Sequence, residues 1–209
     1  MDYELYVVTD ESLSHGRSHV EIARQAVSGG ADVIQLRDKN YSGKELFRIA
    51  TDIRRVTDGS GALFIVNDRL DIALACRADG VHLGQDDLPL SVARTIAPPP
   101  FIIGMSVGTV GEAINAQDLG ADYVAVSPVF STGSKHDAGP GLGIQTVHEI
   151  SRVVTIPVIG IGGIHIGNAE EVFRAGAQGV AVISAVVSSH DIPAAAQEFK
   201  QAIRAWRQG

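Results

Sequence analysis

Cysteine is nearly missing from this sequence: Cys76 is the only one in 209 residues. A single thiol excludes an internal disulfide and argues against a cysteine-based metal site. Its place in the apolar run Ile72–Cys76 reads as a buried core side chain. Basic clusters are missing as well. Seventeen Lys and Arg face 24 Asp and Glu, for a net charge of -7, so no general positive field invites nucleic acid. An anionic small molecule would have to be met by individually placed cations. No apolar run reaches membrane-spanning length and no signal-peptide pattern opens the chain, so the expectation is a cytoplasmic protein with no membrane partner. The oligomeric state is not legible, and a homo-oligomer stays open.

What the chain has in quantity is repetition. Gly29-Gly-Ala-Asp-Val-Ile-Gln-Leu36, Arg77-Ala-Asp-Gly-Val-His-Leu83, Leu119-Gly-Ala-Asp-Tyr-Val-Ala-Val126 and Ala175-Gly-Ala-Gln-Gly-Val-Ala-Val182 share one design. Each has a small residue that stops a helix, then Ala-Asp or Ala-Gln, then an apolar, strand-like run. Between them lie four further apolar runs, Leu5–Val8, Ala62–Val66, Phe101–Met105 and Pro157–Ile161. Eight strands therefore alternate with helices predicted near 18–29, 42–57, 69–76, 89–97, 110–119, 143–153, 167–175 and 191–206. Ser42 before Gly43-Lys44-Glu45 has the form of a helix start, and Pro193 suits a first turn. Eight such units with no linker or composition break predict a single (β/α)₈ barrel spanning 1–209. An open doubly wound sheet is the alternative. It would not require the even-numbered strands to look alike, whereas in a barrel alternate strands supply the same interior layers.

In a barrel the chemistry collects at the strand exits. In order these are Thr9-Asp10, Arg37-Asp38-Lys39, Asn67-Asp68-Arg69, Gly84-Gln85-Asp86-Asp87, Ser106, Ser127 to Pro140, Gly162-Gly163 and Ser184-Ala185. All eight are polar or glycine-rich, as one pocket would require. Asp68 and either Asp86 or Asp87 leave successive strands, and two converging carboxylates without a thiolate suit a hard cation such as Mg²⁺. Alternation points Gln35, Arg37 and Lys39 into the mouth and Ile34 and Leu36 towards the helices. The Arg37 fork matches phosphate oxygens, with an internal ion pair to Asp38 or Asp68 as the alternative. His82 has the same inward parity and reads as a hydrogen-bonded core residue. The long loop carrying Thr132, Ser134 and Lys135 has the length of a lid and the donors of an anion grip. Gly160-Ile-Gly-Gly-Ile164 and Ala181-Val-Ile-Ser-Ala185 occupy the usual phosphate-binding position of this fold.

These stretches together resemble the thiamine phosphate synthase family. The match runs through Tyr6-Val-Val-Thr-Asp10, Gln35-Leu-Arg-Asp-Lys39, Asn67-Asp-Arg69, Asp79-Gly-Val-His-Leu-Gly-Gln-Asp-Asp87, Ser106, Ser127-Pro-Val-Phe-Ser-Thr-Gly-Ser-Lys135, Gly162-Gly-Ile164 and Val182-Ile-Ser-Ala185. Each motif is short, but their order at successive strand ends is specific. The resemblance implies coupling of an aminopyrimidine methyl diphosphate to a thiazole phosphate, with release of diphosphate. It implies that Gln35, Leu36, Arg37, Asp38, Lys39, Asn67, Ser106 and Lys135 hold the pyrimidine diphosphate. Arg37, Lys39 and Lys135 would stabilise charge on the departing diphosphate. It assigns Mg²⁺ to Asp68 and Asp87, choosing Asp87 over Asp86. Thr132, Gly133 and Ser134, with Gly163, Ile183 and Ser184, would hold the thiazole phosphate.

The sequence departs from the family pattern at Ser127 (usually Gly), Ser131 (usually Pro) and Ser134 (usually Thr), which implies a looser lid with its hydroxyls kept. Two other functions compete. A thiazole tautomerase of the same superfamily would share the barrel and the thiazole phosphate site but lack the full diphosphate and metal set. A non-catalytic sensor of phosphorylated ligands would leave the metal acids unexplained.

Overall fold

The computed structural model describes residues 3–132 and 140–208, so Gly133, Ser134 and Lys135 lie outside the described residues. Eight parallel strands, β1 (Leu5–Thr9), β2 (Val33–Leu36), β3 (Leu63–Asn67), β4 (Gly80–Leu83), β5 (Ile102–Val107), β6 (Tyr123–Val126), β7 (Val158–Ile161) and β8 (Gly179–Val182), pair in sequence order. The ring closes where Tyr6 of β1 pairs with Ala181 of β8. Around it run α1 (His19–Ser28), α2 (Gly43–Thr57), α3 (Leu70–Ala75), α4 (Leu90–Ile96), α5 (Val110–Asp118), α6 (Ile144–Ser151), α7 (Ala169–Arg174), α8 (Ser184–Val187) and α9 (Ile192–Gln208). This is the (β/α)₈ barrel. The expected helices are present, and α8 is an addition: four residues are too few to show a helical period. Among the described residues no helix is long and apolar enough to cross a membrane.

Strand alternation sorts the apolar residues into two layers. Val7, Ile34, Phe64, Val81, Ile103, Val124 and Val180 face outward and join the core under the helices. Tyr6, Val8, Val33, Ile65, Tyr123, Ala125 and Ile159 face inward and fill the lumen. The lumen is tight: a Cβ at Gly104 would sit 2.0 Å from the Tyr123 ring, so glycine on β5 makes room for tyrosine on β6. Ser18 and Ser42 close capping boxes with Glu21 and Glu45, fixing the starts of α1 and α2. Cys76 is buried, its thiol donating weakly to the Ala73 carbonyl, and burial pushes its pKa up.

The sequence repeat has a different physical reason from the shared interior layers expected of it. Its acid or amide precedes the even strand and reaches sideways to the start of the preceding odd strand. Asp32 Oδ2 accepts the Leu5 N–H at 2.8 Å, and Asp79 Oδ2 the Phe64 N–H at 2.7 Å. Asp122 Oδ2 accepts the Ile103 N–H at 2.7 Å, and Gln178 Oε1 the Val158 N–H at 2.6 Å. Each satisfies a backbone donor at the N-terminal end of the barrel, where the ladder begins. The three acids are also paired with cations, Lys200, Arg54 and Arg94 respectively. The repeat is a lock on the barrel floor.

Candidate active site at the C-terminal end of the barrel

At the exit of β3 the chain turns sharply. Asp68 extends the β3–β4 ladder by donating its N–H to the His82 carbonyl at 2.8 Å, yet it sits at φ +62°, a left-handed conformation that side chains adopt at a cost. The Arg69 guanidinium is held by Asp71 at 2.6 and 2.8 Å. At the exit of β4, Asp87 Oδ2 accepts the Gly84 N–H at 2.7 Å, which folds the loop back on itself. The Asp68 and Asp87 carboxyl groups lie close enough to perturb one another, while Asp86 is exposed. Burial, then the hydrogen bond and charge of Asp87, push the Asp68 pKa up to about 6, and the nearby charges of Lys39 and Arg37 pull the other way. Two acids forced together under two cations form the first half of the site.

The β2 exit supplies those cations, and its residues divide. Leu36 is buried in the outer core, so only its backbone reaches the mouth. Asp38 Oδ1 accepts the N–H groups of Asn40 (2.7 Å) and Tyr41 (3.1 Å), and its Oδ2 lies 3.2 Å from His19 Nε2. Burial works against the Asp38 charge, but the hydrogen bonds from Asn40, His19 and Tyr41 outweigh it and hold the carboxyl below its ordinary range. Asp38 thus ties its own loop to His19 of α1.

Beneath the mouth a hydrogen-bonded chain crosses the lumen. Gln35 Nε2 donates to Tyr6 Oη at 2.7 Å, and Tyr6 Oη lies 2.9 Å from Tyr123 Oη. Tyr123 Oη is 3.0 Å from His82 Nδ1, and His82 Nε2 is 2.9 Å from Ser106 Oγ. Burial raises the pKa of both phenols, so each keeps a proton to donate. The two ends of this chain, Gln35 and Ser106, are both site residues named by the resemblance. Sequence reasoning missed Tyr6 and Tyr123, although their inward parity on β1 and β6 was available as a signal.

The other half of the mouth is a cleft lined by Ser127, Pro128, Thr132, Gly163, Ile183 and Ser184, among others. The segment after β6 is pinned along β7: Val129 donates its N–H to Ile161 (2.8 Å) and Phe130 to Gly162 (3.1 Å). Gly163 has φ +63°, and a Cβ there would stand 2.7 Å from the Ser131 carbonyl, so only glycine lets the two strand exits meet. Asn168 Nδ2 holds this turn through the Gly163 carbonyl at 3.0 Å.

A (β/α)₈ barrel with paired acids and cations on one side of its mouth and a glycine-walled cleft on the other has the layout of an enzyme for phosphorylated small molecules. Comparison with known proteins makes this specific. The family model described as thiamine monophosphate synthase matches residues 5–186, and the chain belongs to that family. It is 57% identical to the thiamine-phosphate synthase of Methanoculleus marisnigri, over 98% of this chain and 97% of that protein. Against the thiamine-phosphate synthase of Methanospirillum hungatei it is 58% identical, over 95% and 97%. A solved thiamine phosphate pyrophosphorylase from Pyrococcus furiosus superposes with a TM-score of 0.90 at 43% identity, covering 98% of this chain and 96% of that one. A 3-hexulose-6-phosphate synthase structure superposes at 0.75 with 19% identity, a likeness of fold alone.

Proposed function

We propose that this chain is a transferase that joins an aminopyrimidine methyl diphosphate to a thiazole phosphate, giving thiamine phosphate and diphosphate. The observation that carries the reading is the proximity of Asp68 and Asp87 to one another and to the charges of Arg37 and Lys39, in the same barrel mouth as the glycine-walled cleft. Family membership over nearly the whole chain supports the same reaction.

The acids fit a magnesium ion. Both offer only oxygen, and Mg²⁺ typically takes one or two protein carboxylates and completes its shell with water and substrate phosphate oxygens. Among the described residues no group of three or more His, Cys, Asp and Glu assembles as a metal centre. Asp68 and Asp87 would hold the ion, which when bound would neutralise charge on the diphosphate. Arg37, Lys39 and, from the long loop, Lys135 would do the same from the protein side. The pyrimidine C–O bond breaks and its electron pair leaves with diphosphate. The thiazole nitrogen then donates its lone pair to the methylene carbon. No nucleophilic side chain or general base is needed, so the tasks of the protein are alignment and charge stabilisation. Gln35, Asn67 and Ser106 would seat the pyrimidine half. Thr132, Gly133 and Ser134, with Gly163, Ile183 and Ser184, would seat the thiazole phosphate.

Incubation with both substrates and Mg²⁺, followed by mass spectrometry, tests this directly. Thiamine phosphate and free diphosphate are expected in equal amounts. Binding of both ligands without product would instead establish a sensor, and isomerisation of the thiazole without coupling a tautomerase.

A further inference from the structure

We infer that His19, at the start of α1, is a positioning residue for the diphosphate-binding segment, acting through Asp38 to aim Arg37 and Lys39. The inference rests on the assignment of Arg37 and Lys39 to the diphosphate. His19 is fully buried and spans two strand ends: Nδ1 lies 2.7 Å from Oγ1 of Thr9, the last residue of β1, and Nε2 lies 3.2 Å from Asp38 Oδ2 after β2. An ionised carboxylate only accepts, so Nε2 carries the proton and, in the neutral ring, Nδ1 receives the Thr9 hydroxyl.

Asp38 stands between the two cations in sequence, and alternation sends its side chain to the opposite side from theirs. With its carboxyl held by Asn40, Tyr41 and His19, the backbone on either side is fixed, and with it the direction in which Arg37 and Lys39 leave. A second tie runs beside the first. Glu11 accepts the His19 backbone N–H at 2.9 Å and the Tyr41 hydroxyl at 2.7 Å, and the His19 and Tyr41 rings meet edge to face at 6.1 Å. What the imidazole adds is a donor aimed at Asp38.

Two substitutions separate aiming from filling. In His19→Asn the side-chain amide stands near the Nδ1 position, facing Thr9, and falls short of Asp38. In His19→Gln the amide reaches the Nε2 position. His19→Asn is expected to raise KM for the pyrimidine diphosphate about tenfold while KM for the thiazole phosphate stays within about twofold, and His19→Gln to recover most of the loss. Equal constants for the two variants, or a joint rise in both KM values, would overturn the inference. If His19→Asn does not fold, Asp38→Ala probes the same contact from its partly exposed side and must show the same split. Arg37→Ala distinguishes the two levels of failure. If it leaves KM for the pyrimidine diphosphate unchanged, the diphosphate assignment itself is wrong. If it raises that KM and loss of the His19–Asp38 contact does not, the assignment stands and the role of His19 falls.

Discussion

The barrel uses aspartate in opposite ways at its two ends. On the floor, Asp32, Asp79 and Asp122 each accept a backbone N–H and each face a cation. At the mouth, Asp68 and Asp87 face each other, and Asp68 holds a left-handed backbone to do so. The floor arrangement satisfies every partner and stabilises the fold. The mouth arrangement sets two like charges together, which costs stability, and under the proposed function that cost is offset when a cation is received there. The same residue type is paired with a cation on the floor and set against another acid at the mouth.

The sharpest way to break this comparison is to neutralise the mouth. Asp68→Asn and Asp87→Asn are each expected to lower thiamine phosphate formation by about 10²–10³-fold, the scale for removing a transition-state charge stabiliser. Neither should lower the thermal midpoint, because each relieves a repulsion. Chelation should abolish turnover of the unsubstituted protein, and Mg²⁺ should restore it and raise its thermal midpoint, but not that of either variant. Full turnover in either variant or in chelator would remove the metal from this site.

The converse effect is expected on the floor. Asp32→Ala deletes the acceptor for Leu5 N–H and strands part of the Lys200 charge, which keeps Glu4 as a partner. A loss of about 2 kcal/mol follows, or roughly 4–8 °C in thermal midpoint for a chain of this size. Turnover per folded molecule at 25 °C should be unchanged. A variant that melts normally but turns over slowly would erase the distinction between floor and mouth.

The smallest effect is in pH. In metal-free protein Asp68 has its pKa raised from 3.8 to about 6 by burial and by Asp87. The folded state therefore binds a proton that the unfolded state has already released. That stabilisation is fully present below the unfolded value and is lost as pH rises through the folded one. Relative to Asp68→Asn, the metal-free protein should lose thermal stability from about pH 4 to about pH 6.5. Parallel pH profiles for the two proteins would mean that the mouth acids do not share a proton.

How legible all this was differs by residue. The strands and most helices followed from alternation and from the helix stops, because a barrel strand must place one face on the helices and the other in the lumen. Helix α8 was too short to show a period, and the Ala-Asp repeat was visible with the wrong reason attached, since its bond partners lie 15 to 27 residues away. Asp38 illustrates the limit: from sequence it stood in line with Arg37 and Lys39 as a ligand, and only the fold brings His19 to its carboxyl.

By itself, then, the sequence determined the eight-fold βα order, the polar exits and the acids and cations available at them, because those depend on local periodicity and on which residue follows each strand. Which carboxyl meets which could not be read there. Asp68 meeting Asp87 and Asp32 meeting Leu5 were decided by the pairing of neighbouring strands, Lys200 reaches Asp32 from the last helix, and Gln35 connects to Ser106 through two tyrosines and a histidine because the closed barrel sets β6 opposite β1 across the lumen.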